Sequence, residues 1–203
     1  MAPAGHPGPM AQAHEQLALA CAACHRCGLA AGRQRVVVSR GNPRARLLVI
    51  GEAPGAQEDA QGQPFVGRSG QLLDRLLAAA GIDVATEAYI CNVVKCRPPG
   101  NRKPTAAELA ACRPWLEQQI ALVDPPLVLL VGATALQGVL GIRGGITGLR
   151  GQWRPWGERW LMPILHPSYL LRNPSERPGS PRALTLDDRR LVRERLTPLP
   201  APL

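Results

Sequence analysis

Four short apolar runs, separated by stretches with helical periodicity, constrain the fold of this chain more than any other feature. Each run has the length and apolar character of a strand that is buried on both faces. The runs cover 46–50, 89–94, 127–131 and 160–165. Strands that alternate with helices are joined by right-handed crossovers and pair into a parallel sheet. The sequence therefore predicts an α/β protein with a three-layer α/β/α fold around a central four-stranded parallel sheet.

Signals for helix boundaries and strand position support this pattern. Leucines between 72 and 77 share one helical face. Thr105 and Glu108 match a capping box, which predicts a helix from there to about residue 123. A further helix is expected over about 183–196. Pro163 cannot donate a ladder hydrogen bond, so the fourth run is expected to be an edge or irregular strand.

The domain boundaries follow from composition. Residues 1–16 are rich in Ala, Gly and Pro, which predicts a disordered N-terminus, and 198–203 form a Pro-rich tail. A single domain is expected over 17–197. No stretch approaches the ~20 apolar residues of a transmembrane helix, and no basic start with an apolar run resembles a secretion signal. We therefore expect a monomer in the cytoplasm, without membrane contact and with reduced thiols.

The charge of the chain favours an anionic partner. Lysine and arginine outnumber aspartate and glutamate by 24 to 15, which gives a formal net charge of +9 and a pI near 10.1. Most of the excess is arginine, whose planar guanidinium pairs well with phosphate. Nucleic acid is the commonest polyanion for such a surface. General solubility in an arginine-rich proteome accounts for the same charge, so the charge alone leaves both interpretations open.

Two widely separated pairs of cysteines are candidates for a metal centre. Cys24 and Cys27 form a CxxC pair, and Cys96 and Cys112 stand 16 positions apart much later in the chain. Four thiolates suit tetrahedral zinc or an iron–sulfur cluster, and the spacing alone does not choose between them. Cys21 also forms a CxxC pair with Cys24, so the membership of the first pair stays open.

The predicted topology brings distant loops to one edge of the sheet. Ligands of open α/β sheets bind outside the carboxyl ends of the strands. The loops expected there are 51–67, 92–103, 132–135 and 166–172. These loops carry the chemically unusual side chains of the chain, namely Glu52, Glu58, Phe65, Asn92, Lys95 and His166.

Three of these side chains suit recognition of a nucleobase. Phe65, the only phenylalanine, is either a loop anchor in the core or a platform on which a base stacks. The amide of Asn92 offers a donor and an acceptor, which the edge of a uracil or adenine requires. His166 follows the fourth run and precedes a proline; it is either a hydrogen-bonded structural residue or part of the site.

Four motifs resemble those of the family-4 uracil-DNA glycosylases. They are GEAPG at 51–55, GQPFVG at 62–67, NVVKCRPP at 92–99 and HPSYLLR at 166–172. The cysteine spacing is similar to that family's as well, and the resemblance extends over about residues 20–175. It implies hydrolysis of the N-glycosidic bond of deoxyuridine in DNA, which releases free uracil and leaves an abasic site.

The resemblance also implies roles for individual residues. A [4Fe–4S] cluster would be held by Cys24, Cys27, Cys96 and Cys112. Uracil would stack on Phe65, bond to Asn92 and lie against Ala53 and Gly55. Catalysis would involve His166, Glu52 and Glu58. His166 would face uracil O2, and Glu58 would crowd the 5-position. The DNA would be contacted by Lys95, Ser168, Arg172 and Leu170, the last as a wedge in the duplex.

The chain departs from the wider superfamily at one position, and two alternative functions remain open. The best-known uracil glycosylases carry an aspartate where Ala53 stands here, so Glu52 and Glu58 are the nearby substitutes. One alternative is a non-catalytic iron–sulfur module that binds nucleic acid. The other is a related glycosylase that forms a covalent adduct with DNA. Those relatives carry a basic insertion with a histidine after the second strand, whereas 95–104 reads KCRPPGNRKP.

Overall fold

The computed structural model describes residues 8–199, and six strands form one sheet. Numbered in chain order, they are β1 (Arg40–Gly41), β2 (Leu47–Gly51), β3 (Ala88–Asn92), β4 (Leu127–Val131), β5 (Arg154–Trp156) and β6 (Arg159–Ile164). Their order across the sheet is β1-β3-β2-β4-β6-β5. The central four strands are parallel, as the sequence predicts, and β1 and β5 add a short antiparallel strand at each edge.

Pro163 occupies the kind of position that its missing N–H requires. β6 lies between β4 and β5, so it is not the edge strand of the sheet. The pairing with β5 ends at Leu161, before Pro163, and Gly151 N donates to Pro163 O instead. On its other side Pro163 is aligned with Leu130 of β4. The position is therefore irregular, one of the two that the sequence predicts, and the missing N–H of the proline breaks no pairing with β5.

Nine α-helices accompany the strands in the described part of the chain. They are α1 (Pro9–Ala22), α2 (Ala56–Gln61), α3 (Arg68–Ala78), α4 (Val84–Glu87), α5 (Ala106–Val123), α6 (Ala133–Leu140), α7 (Ile146–Leu149), α8 (Pro167–Arg172) and α9 (Pro181–Leu196). The predicted capping box begins α5: Thr105 Oγ1 accepts from Glu108 N, and the Glu108 carboxylate accepts from Thr105 N. The expected C-terminal helix is α9.

Apolar clusters cover both faces of the sheet. On one face, Leu48 and Ile50 of β2 pack in a cluster with residues of α1, α5 and α6. On the other face, Leu47 and Val49 pack with residues of α3 and α9. Because alternate residues of each strand enter opposite clusters, β2, β3 and β4 are buried along their whole length. The three-layer arrangement is therefore the predicted one.

The N-terminal boundary differs from the prediction. The disorder expected for 1–16 is wrong from Pro9 onward, because α1 packs on the sheet: His14 Nε2 lies 2.9 Å from Tyr89 Oη, and Leu17 and Cys21 are buried. Residues 1–7, and 200–203 of the expected tail, lie outside the described residues. Within the described range, no helix is both long and apolar enough to cross a membrane.

Candidate active site

A cavity of about 390 Å³ lies at the carboxyl edge of the parallel strands, where the topology leads one to expect a ligand. It brings together most of the predicted site residues: Glu52, Ala53, Gly55, Glu58, Phe65, Asn92, His166, Ser168 and Arg172. Arg102 also lines it. The sequence reasoning missed Pro54, Ser69, Pro98 and Asn101, whose residue types carry no signal of their own.

Phe65 is held in the cavity by an unusual backbone. Its φ of 56° is left-handed, a conformation that non-glycine residues rarely adopt and that clusters at functional sites. Two glycines make room for it. A Cβ at Gly51 would lie 2.3 Å from Phe65 Cζ, and one at Gly70 would lie 1.8 Å from Phe65 O. The ring lies 6.2 Å from the His166 ring, tilted by 31°, so both rings border the same space.

Glu58 connects the two loops beside Phe65 through hydrogen bonds to their main-chain amides. Its Oε2 accepts a hydrogen bond from Gly55 N at 3.0 Å, and its Oε1 accepts from Val66 N at 3.0 Å and Gly67 N at 2.8 Å. Both oxygens therefore bind main-chain amides of the two loops that flank the cavity. In contrast, no hydrogen bond or ion pair among residues 8–199 involves the Glu52 carboxylate, so Glu52 is the cavity's unengaged acid.

Asn92 ends β3 with its amide at the base of the cavity. The residue is 2% exposed, and Oδ1 would lie only 2.5 Å from a Cβ at Gly51. Its side-chain amide has no hydrogen-bond partner in the described part of the chain, whereas buried amides are normally bonded. A ligand in the cavity would meet one donor and one acceptor there.

His166 follows β6 and caps α8 with its side chain. Nδ1 accepts a hydrogen bond from Ser168 N at 3.1 Å and lies 2.8 Å from Ser168 Oγ. Because Nδ1 is the acceptor, the proton of the neutral ring belongs on Nε2. Burial, and then the charge of Arg172, lowers the pKa of His166 to about 4. Near neutral pH the ring is therefore an uncharged N–H donor.

Two predicted DNA contacts are contradicted by burial. Leu170 is fully buried, packed in a cluster with Leu72 and Leu165, and cannot enter a duplex without leaving the core. Lys95 is 1% exposed and donates from Nζ to Asn92 O, so it does not face phosphates. The neighbouring Tyr169, which the sequence reasoning passed over, is 42% exposed.

The cysteines surround a second, smaller cavity. Cys24, Cys27, Cys96 and Cys112 line it together with Cys21, and all of them are free thiols. Cys91 is buried in β3, as expected for a small apolar residue. The segment after α1, the loop after β3 and the second turn of α5 thus meet at one place, although they are distant in sequence.

Nitrogen donors point at three of these sulfurs. Trp115 Nε1 lies 3.2 Å from Cys24 Sγ, Lys95 N lies 3.3 Å from Cys112 Sγ, and Arg33 Nη1 lies 3.6 Å from Cys96 Sγ. Such N–H donors favour thiolates over thiols. Across residues 8–199, no group of three or more Cys, His, Asp or Glu is arranged to hold a single metal ion.

Comparisons with known proteins agree with this geometry. The family model for the uracil DNA glycosylase superfamily matches residues 38–190. A type-4 uracil-DNA glycosylase of Thermotoga maritima is 46% identical over 81% of this chain and 85% of the relative. One of Saccharolobus solfataricus is 35% identical over 89% and 85%. A type-5 enzyme of Thermus thermophilus matches over only 52% and 54%. The chain belongs to the uracil-DNA glycosylase superfamily, and within it to the type-4 group.

Proposed function

We propose that this protein excises uracil from DNA by hydrolysing the bond between the base and deoxyribose, as the first step of base excision repair. One observation carries the proposal: a single cavity presents an aromatic ring, a free amide and a neutral N–H donor, from Phe65, Asn92 and His166. A pyrimidine needs a stacking surface, an amide for its edge and a donor for its carbonyl oxygen.

Recognition depends on a rigid pocket. The base leaves the duplex stack, which costs a few kcal/mol, and stacks on Phe65. Asn92 then hydrogen-bonds its edge, with Ala53 and Gly55 beside it. Glu58 acts by tying Gly55, Val66 and Gly67 together, so that the wall near the 5-position cannot yield to a methyl group. The role we assign to Glu58 is therefore one of positioning.

Catalysis depends on charge that develops as the bond breaks. Dissociative cleavage leaves a cation-like sugar and a uracil anion, and the Nε2–H of His166 stabilises that anion. A preorganised donor of this kind contributes about 3 kcal/mol. Ala53 stands at the position of the usual aspartate and cannot act on the sugar or the water. We therefore assign Glu52, whose carboxylate has no partner among residues 8–199, to stabilise the cation-like sugar and orient the attacking water.

We propose a [4Fe–4S] cluster on Cys24, Cys27, Cys96 and Cys112. The converging thiols and the N–H donors aimed at them fit this group. When bound, the cluster supplies a cross-link between three distant segments. Burial raises the pKa of the Cys112 thiol to about 11, so ligation to the cluster would displace its proton.

The DNA-binding face is expected around the mouth of the cavity. Arg172 lines that mouth, and its guanidinium suits a phosphate beside the extruded nucleotide. Arg102 lines the mouth as well, but both of its terminal nitrogens donate to the Glu108 carboxylate. Ser168, at the start of α8, is placed beside them. Tyr169 on the same helix takes the place of Leu170 as the side chain that fills the gap in the stack, since it is the exposed one.

Replacing Phe65 with alanine is expected to weaken capture of uracil without disturbing the DNA-binding face. Loss of a stacking contact costs about 1–3 kcal/mol, or roughly 5- to 150-fold in KM. Steady-state kinetics on a uracil oligonucleotide measures this change. Binding to an abasic duplex, which lacks the base, serves as the control and should stay at the wild-type level. Equal weakening of both would exclude stacking.

Replacing Tyr169 with alanine is expected to slow excision from duplex DNA more than from single strands, since only the duplex has a gap to fill. The loss is expected to be about tenfold, in line with one stacking contact. Tyr169→Phe keeps the ring and is the matched control, with near-normal rates. If both variants behave like the wild type on duplex DNA, Tyr169 does not enter the stack.

A denaturing gel separates the proposal from both alternatives. A labelled duplex with one uracil is incubated with the protein, and half of each sample is treated with alkali. Excision yields a strand break only after alkali. A slow-migrating band that survives denaturation would indicate a covalent adduct, and intact strands with retained DNA binding would indicate a non-catalytic module. The monomeric state and the cytoplasmic location expected from the sequence stay predictions.

A further inference from the structure

Lys95 is an unusual residue in this chain. The sequence contains 22 arginines and only two lysines, Lys95 and Lys103. Lys103 is exposed, as a charged residue normally is, whereas Lys95 is 1% exposed. A chain that uses arginine for almost every positive charge thus keeps a lysine at the one position where the whole side chain is buried.

The surroundings of the Lys95 ammonium contain sulfur and no carboxylate. Nζ donates to Asn92 O, and its charge acts on the buried thiol of Cys91. It also interacts electrostatically with Cys21 and Cys112. None of the ion pairs formed within residues 8–199 includes Lys95. The cavity that Lys95 lines has five cysteines and no carboxylate among its lining residues.

A buried cation without a negative partner is costly. Taking an ammonium out of water costs several kcal/mol unless a nearby opposite charge compensates. Neutral thiols do not provide that charge, but thiolates that ligate a metal centre do. A cluster with four thiolates carries net negative charge, and Lys95 lines the same cavity as the four candidate ligands.

The same side chain reaches the uracil pocket. The peptide oxygen that accepts from Nζ belongs to Asn92, whose amide lies at the base of that pocket. The main-chain N of Lys95 donates to Cys112 Sγ at 3.3 Å. Residues 92–96 therefore run from one cavity to the other, and the Lys95 side chain bridges them.

We propose that Lys95 is a positioning residue that balances the charge of the cysteine-bound cluster and fixes the main chain of Asn92, so that one side chain supports both the cluster and uracil recognition. This inference rests on the proposed function and the proposed cluster. It replaces the role in DNA binding that the sequence suggested for Lys95.

Three variants test the proposal. Lys95→Met keeps the length of the side chain without its charge, Lys95→Arg keeps the charge, and Lys103→Met makes the same neutral change at the exposed lysine. Iron content and the visible charge-transfer absorbance are measured per folded molecule, during challenge with a chelator. KM and kcat on uracil DNA are then measured per cluster-bearing molecule.

We expect Lys95→Met to lose iron about 10- to 100-fold faster than Lys103→Met, as for other residues that support metal ligands. Its remaining cluster-bearing fraction should have a raised KM, because the Asn92 main chain is no longer fixed. Lys95→Arg should retain more iron than Lys95→Met. If only Lys95→Met fails to fold, that outcome also supports a need for charge.

Three outcomes would overturn the proposal. The first is equal iron retention by Lys95→Met and Lys103→Met. The second is that Lys95→Met and Lys95→Arg lose iron, or folded protein, to the same extent. The third is a wild-type protein that contains no iron. The proposed function is judged separately, by uracil excision in the wild type. A wild type that holds iron but does not excise uracil refutes the function, while iron retention in the variants still decides the role of Lys95.

Discussion

Replacing His166 with alanine is expected to slow single-turnover excision of uracil about 100- to 1000-fold, the usual cost of removing one preorganised donor from a developing anion. Binding to an abasic duplex should be unchanged, because the imidazole lies inside the cavity and the guanidiniums at its mouth remain. The effect is expected to be large here because Ala53 contributes no carboxylate, so we assign His166 a larger share of the stabilisation.

The protonation of His166 provides an independent check of this role. Since its folded pKa is about 4, below its ordinary value of 6.5, the folded ring stays neutral where the unfolded ring binds a proton. Above pH 6.5 the ring is neutral in both states, and burying it carries no protonation penalty. The free energy of unfolding then decreases as the pH falls from 6.5 toward 4, because protons bind preferentially to the unfolded state. Nitrogen NMR of labelled histidine should show the Nε2–H tautomer from about pH 8 down to 5.

Either of two results would contradict this account of His166. One is near-normal single-turnover excision by the alanine variant. The other is an imidazole that titrates near pH 6.5 in the folded protein, because a ring that charges there is not held by burial and by the Ser168 amide.

Replacing Cys24 with serine is expected to abolish iron binding and to destabilise the fold by about 4 kcal/mol or more, a size typical of losing a metal centre. The reason is that the proposed cluster would join the segment after α1 to α5 and to the loop after β3. Iron analysis and urea unfolding measure the two effects. The visible absorbance of the wild type identifies iron–sulfur, because d¹⁰ zinc has none.

Cys21→Ser is the matched control for this change. Cys21 precedes Cys24 by three residues and lines the same cavity. Burial raises the pKa of its thiol to about 12. If Cys24 is the ligand, the Cys21 variant keeps its iron and loses only the smaller stability that a buried hydroxyl costs. If only the Cys21 variant loses its iron, Cys21 is the ligand and Cys24 is not.

The central sheet could be predicted because its strands are buried on both faces, and this burial makes each of them a continuous apolar run. The edge strands could not be predicted, since β1 and β5 have two and three residues and no apolar pattern. The helix over Pro9–Ala22 was missed for another reason. Its Ala-rich start resembles a disordered segment, and its order depends on contacts with α5 and Tyr89.

The site could be located from the sequence but not fully assigned. Parallel strands bring their carboxyl ends to one edge, so the convergence of Glu52, Asn92 and His166 follows from topology alone. Which way a side chain points within a short loop depends on packing that no local pattern encodes. Leu170 and Lys95 are examples, because both follow a cavity residue closely and yet point into the interior.

Release of the free base tests the central claim most directly. A duplex with one uracil, and the same duplex with thymine in its place, are each incubated with an excess of the wild-type protein. The released base is then quantified by mass spectrometry. The account predicts one free uracil for each abasic site formed, no free thymine and no protein–DNA adduct. Retained binding of the uracil duplex without any release of uracil would contradict it.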